Sequence, residues 1–129
     1  MKLINGLEPQ FIVRTANDGN WSRSLIDTGA SLSFVDTGYA NTHLKTLVQT
    51  ADNPLSVRLG DASKTPVNNY IESIIRYKNR EVTVTQWLMS LPPAIDNILG
   101  LDYMRLMNIM IDPANRRIIL LDENPADDT

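Results

Sequence analysis

Short apolar stretches that alternate with polar residues and end in turn chemistry run the length of this chain, and they set its fold class. In "EVTVTQWLM", Val82 and Val84 fall on one face and Thr83, Thr85 and Trp87 on the other, the period-two pattern of a half-buried strand. "PQFIVRTANDGNWSRSLI" reads as strand, turn, strand: Phe11 and Val13 alternate with Ile12 and Arg14, Asn17-Asp18-Gly19-Asn20 turns, and Ser24-Leu25-Ile26 resumes extended. "PLSVRLGDASKTPVNNY" predicts a hairpin over 55–70 with a polar tip at Gly60-Asp61-Ala62-Ser63, and a second hairpin follows, turning at Lys78-Asn79-Arg80. After Pro92-Pro93 the pattern gives a short strand, Ile98-Leu99, then Gly100, a short helix over 101–107, and a hairpin over 109–121 turning at Asp112-Pro113-Ala114-Asn115. Residues 1–121 are therefore expected to form one all-β, β-rich domain with one short C-terminal helix, and "DENPADDT", 122–129, an acidic flexible tail.

Composition narrows the chemistry. At 129 residues the chain fits a single domain able to bury about two thirds of its unfolded surface, too short for a two-lobed enzyme. A net charge of -3 with scattered Lys and Arg offers no basic field for nucleic acid or an anionic membrane. No run approaches the roughly 18 apolar residues of a membrane span, and the reading is a soluble intracellular chain or a fragment of a longer one. The absence of cysteine removes disulfides and thiolate catalysis, and a single histidine, His43, removes multi-histidine metal sites. His43 lies in "YANTHLKTLV", a short amphipathic stretch, and is expected on a solvated helix face. Trp21 and Trp87 are expected to anchor packing, and Met104, Met107 and Met110 to fill the core or an interface.

"SLIDTGASLSFVDTG" carries Asp-Thr-Gly twice, at Asp27 and Asp36. In the first copy an apolar strand delivers Asp27 to its carboxyl end, Thr28 can lock the turn, and Gly29 and Ala30 leave room beside the carboxylate. In the second, Tyr39 crowds the approach, and "DTGYANTHL" reads as a helix start capped by Asp36 or Thr37. Amide hydrolysis by general acid-base chemistry wants two carboxyls of different proton affinity. Asp36, separated from Asp27 by a short strand, is badly placed to be the second. A two-fold dimer supplies a second Asp27 instead, and two such carboxyls at contact distance share one proton.

"LIDTGASLSFV" followed by "NILGLDYM" resembles the retropepsins, the single-lobe aspartic proteases of retroviruses and LTR retrotransposons, over about 10–121. The resemblance implies a closed, barrel-like lobe with a flap hairpin, acting as a homodimer on an extended peptide or polyprotein, with no metal or organic cofactor, nucleic acid or membrane. It makes Asp27 the catalytic aspartate, Thr28 the residue whose hydroxyl braces the two active-site loops across the dimer axis, and Gly29, Ala30 and Ser31 substrate contacts. The flap falls on 55–70, with Gly60, Asp61, Ala62 and Ser63 at its tip. Ile98-Leu99-Gly100 matches the strand that packs behind the active-site loop.

Retroviral members commonly pair an acidic residue after Asp-Thr-Gly-Ala with an arginine after the late glycine. Here those positions hold Ser31 and Leu101, and "GLDYM" with Asp102 is more similar to gypsy-type retrotransposon proteases. Asp102 itself is expected to complement the helix start. The expected activity is processing of a Gag-Pol-type polyprotein, in the cytoplasm within virus-like particles. Two alternatives stand beside it: a non-catalytic dimerisation and peptide-binding module, and a cellular protease of the ubiquitin-shuttle type.

Overall fold

A computed structural model describes residues 11–58 and 63–121. Strands β1 (Ile12–Asn17) and β2 (Asn20–Ile26) open the chain as a hairpin. Its loop residues Asp18 and Gly19 both have positive φ, +50° and +87°, the type I′ geometry whose twist matches paired strands. Then follow β3 (Ser33–Asp36), α1 (Thr37–His43), a 3-10 turn (Lys45–Leu47), β4 (Gln49–Arg58) and β5 (Lys64–Tyr77). β6 (Arg80–Met89), β7 (Asn97–Leu99), α2 (Leu101–Met107), β8 (Ile109–Asp112) and β9 (Arg117–Leu120) complete the order. Strands β1-β2-β7-β3-β6-β5 are neighbours in sequence of pairing, and β5 pairs back onto β1 through Ala16↔Arg76 and Asn17↔Ile75, which closes a six-stranded barrel. β4 lies outside it on the first half of β5, and β8–β9 form a separate hairpin.

Several expectations are corrected. The two central hairpins share one strand: β5 runs unbroken for 14 residues, paired with β4 up to Tyr70 and with β6 from Tyr70 onward. β4 begins at Gln49, ahead of the expected Leu55, because its pairing resumes across a register break between Thr50 and Leu55. Helix α1, by contrast, starts where the second Asp-Thr-Gly was expected to cap a helix, and Asp36 is the cap, accepting from Tyr39 N at 3.2 Å. Asn17 belongs to β1 as a buried residue, where a turn position was expected. Trp21 is no packing anchor, since 65% of it is exposed, and Met110 is 51% exposed. Trp87 is half-buried against Tyr70, ring centroids 5.4 Å apart. The tip residues Gly60, Asp61 and Ala62 and the tail 122–129 lie outside the described residues.

Apolar packing covers the barrel at both helices. Tyr103, Met104 and Met107 of α2 pack on Ile26, Ile75 and Leu99, and Tyr39 and Leu44 pack on Val35, Ile71 and Leu88. Inside the barrel the layer is polar. Asn97 donates to Ser22 Oγ at 2.8 Å and Ser24 Oγ at 3.0 Å, and its Oδ1 accepts from Asn17 and Gln86, both at 2.9 Å. Gln86 donates also to Phe34 O at 3.0 Å and accepts from Asn17 and Ser73 at 2.9 Å. Both amides thus have all four hydrogen-bonding positions filled, and the network touches every strand of the barrel.

Replacing Asn97 with Ala takes one buried hydrogen bond from each of Ser22, Ser24, Asn17 and Gln86, so stability should fall by about 3 kcal/mol or more in urea unfolding. A loss within experimental error would show that the network is not structural. Tyr103 is the reverse case: its hydroxyl is buried with no partner among the described residues, and burial pushes the phenol far above its ordinary range. Tyr103→Phe should raise stability by about 1 kcal/mol in the same assay, and a loss of that size would reveal a partner for the hydroxyl.

Candidate active site

Asp27 stands one residue past β2, and the site is built from what holds it there. Leu25 and Ile26, 1% and 2% exposed, fix the end of β2 between β1 and β7, in parallel register Leu25↔Ile98 and Ile26↔Leu99. The ladder continues one step further, with Asp27 N donating to Leu99 O at 2.9 Å. The chain then turns: Gly29 N donates to Asp27 Oδ1 at 2.8 Å, an Asx-type turn, and Ala30 N to Asp27 O at 3.2 Å. The carboxyl group is buried, 2% of Asp27 being exposed, and the described residues provide it no ion-pair partner. Thr28, Gly29 and Ser31 are exposed and Ala30 half-buried, so the loop presents its backbone outward while the carboxylate stays rigid.

The loop is clamped from below by β7 and α2. Leu101 N donates to Ala30 O at 2.8 Å. Gly100 passes so close under the loop that a Cβ there would lie 2.4 Å from Leu32 O and 2.5 Å from Ala30 O, which only glycine avoids. Gly100 N donates to Ser33 Oγ at 3.0 Å, and Ser33 Oγ donates to Asp102 Oδ1 at 2.6 Å. Asp102 also accepts from Tyr103 N at 2.7 Å, as a carboxylate in a first helical turn does. Ser33 was not singled out from the sequence; its signal is parity, since it shares the inward face of β3 with Val35.

The second Asp-Thr-Gly does other work. One Asp36 oxygen accepts from Tyr39 N and the other from Leu91 N at 3.0 Å, so both are spent on backbone. His43 is exposed on α1 with its ring 4.6 Å from that of Tyr39, and it is not among the hydrogen-bond partners of Asp27. Ser63, at the near side of the hairpin tip, is exposed. Among the described residues no group of His, Asp and Glu could hold a metal ion, and no helix is long and apolar enough to cross a membrane.

A single-lobe barrel that locks an Asp-Thr-Gly turn against an apolar-Gly strand defines the class as retropepsin-like. The chain belongs to the retroviral aspartyl protease family, whose family model matches residues 9–126. Its fold is similar to the crystal structure of the retroviral protease-like domain of Ddi1 from Leishmania major. The two superpose with a TM-score of 0.64 at 19% identity, covering 89% of this chain and 96% of that one. No curated protein sequence matches the chain.

Gly100→Ala forces two carbonyl oxygens away from the clamp. We expect a loss of about 1–3 kcal/mol in thermal unfolding, and a variant as stable as the parent would mean that the loop tolerates a wider gap.

Proposed function

We propose that the chain is an aspartic endopeptidase that works as a homodimer, one Asp27 from each subunit activating the water that attacks the peptide carbonyl. The observation that carries this reading is the lock on Asp27, whose buried carboxyl group accepts from Gly29 N while its own backbone N–H donates to the Leu99 carbonyl. One carboxylate takes the proton from water while the protonated one polarises the carbonyl oxygen. Exposure of Thr28 beside it leaves the hydroxyl available to brace the partner's loop. The substrate lies extended between the β4–β5 hairpin, with Gly60, Asp61, Ala62 and Ser63 at its tip, and a floor of Gly29, Ala30 and Ser31, hydrogen-bonded as an added strand.

In this reading the substrate is a Gag-Pol-type polyprotein of a gypsy-type LTR retrotransposon, cut in the cytoplasm within virus-like particles. Support comes from "GLDYM" and from Ser31 and Leu101 at the positions of the retroviral acid-arginine pair. The fold likeness to the Ddi1 domain supports a cellular protease equally well.

Cleavage of peptides spanning the junctions of the parent polyprotein decides among these. Asp27→Asn should lower the rate at least about a hundredfold. Asp36→Ala should keep the activity of the folded protein while losing about 1 kcal/mol of stability with its cap. Specific activity should fall on dilution through the dimer dissociation constant. Activity that survives Asp27→Asn, or a fully active monomer, overturns the mechanism. Cleavage of cellular proteins but not of the junctions moves the assignment to the cellular reading, and a dimer that binds but never cuts moves it to a peptide-binding module.

A further inference from the structure

Trp21 stands at the start of β2 and Asp27 just past its end, so about 20 Å of strand separates them. There, on the outer wall, a groove of about 560 Å³ is lined by Arg14, Trp21, Ile74, Arg76, Lys78 and Glu81. Strand register brings them together: Trp21 lies opposite Ala16, Ala16 opposite Arg76, and Arg76 opposite Glu81. The small Ala16 keeps the middle of the wall low between bulkier neighbours. Trp21 is 65% and Ile74 44% exposed, an apolar pair turned to solvent.

The charge there runs against the rest of the molecule. Three cations and one carboxylate line the groove of a chain whose net charge is -3. Among the described residues the one ion pair is Arg117–Asp112, so Arg14, Arg76 and Lys78 have no carboxylate partner there. The Arg14 guanidinium instead lies 4.6 Å from the Trp21 ring centroid, and the Lys78 ammonium 5.6 Å from that of Tyr77. A rigid aromatic beside held but unneutralised cations loses little entropy when a ligand arrives, the composition of a binding hot spot.

We propose that this groove docks an acidic linear peptide segment of another protein, its carboxylates paired with Arg14, Arg76 and Lys78 and an apolar side chain seated between Trp21 and Ile74. A second copy presents the same cations and is repelled in a face-to-face contact. Nucleic acid fits less well: a base must compete with Arg14 for the Trp21 ring, and Ile74 offers no stacking surface. Nothing in this inference depends on the role of Asp27.

The test uses the full chain carrying Trp87→Phe, which makes Trp21 the only tryptophan, with intact protein in a calorimeter as a second measurement should that variant not fold. The probe is a capped peptide, Asp-Glu-Leu-Asp-Glu-Leu-Asp-Glu, against its Asn/Gln analogue and an oligothymidylate of equal length. The acidic peptide should change Trp21 emission saturably. Binding should weaken about tenfold or more in the Arg14→Ser, Arg76→Ser double variant and in about 0.5 M salt, where surface charges are screened within a few ångströms. Deleting 122–129 should leave it unchanged. Equal binding of the neutral analogue, or no saturable binding by either method, overturns the proposal. Tighter binding of the oligothymidylate assigns the surface to nucleic acid instead, and binding seen only after deletion of 122–129 assigns the groove to the chain's own acidic tail.

Discussion

The side-chain amide of Asn97 is the point through which this barrel is held. It sits at the start of β7, the shortest strand, flanked by β2 and β3, and its hydrogen bonds reach β1, β2 and β6. Gln86 repeats the role on β6 and extends the network to β3 and β5. Apolar packing of the same volume could fill the space, but it would not fix the height of one strand against the next. Amides with every donor and acceptor used do so, because sliding any strand breaks several buried hydrogen bonds at once.

That constraint is felt three residues along the chain. Asn97 sets where Leu99 and Gly100 lie, and these set the loop that carries Asp27: the Leu99 carbonyl receives Asp27 N, and Gly100 fills the narrow space beneath Ala30 and Leu32. Ser33 and Asp102 then tie the far side of the loop to α2. The carboxylate is thereby positioned almost wholly by backbone, and rigid first contacts of this kind are what general acid-base chemistry requires. The bond from Ser33 to Asp102 thus links the loop to the helix.

Much of this was legible in the sequence. Period-two alternation placed the hairpins, Asp18-Gly19 marked a tight turn, the family resemblance put Ile98-Leu99-Gly100 behind the Asp27 loop, and the bulk of Tyr39 separated the capping Asp36 from Asp27. The interior of the barrel was hidden because it inverts the usual rule. Ser22 and Ser24 point inward while Trp21 points out, and Asn17, which has turn chemistry by composition, is buried. Gln86 shares the face of Val82 and Val84, so parity alone carried the information and polarity argued against it. Only closure of β5 onto β1 turns those residues into a core, and that pairing spans some sixty positions of sequence.

The continuity of β5 has a mechanical meaning. From Tyr70 onward it is part of the barrel wall, held by β6 on one edge; before Tyr70 its strand partner among the described residues is β4 alone. A beam clamped at one end and free at the other bends most at the clamp. Here the clamp is marked by the Tyr70–Trp87 contact on one side and by the broken register of β4 after Thr50 on the other. Displacing the hairpin arm therefore means flexing the barrel wall at that point, so the stiffness of the arm is a property of the barrel as much as of the residues at its tip.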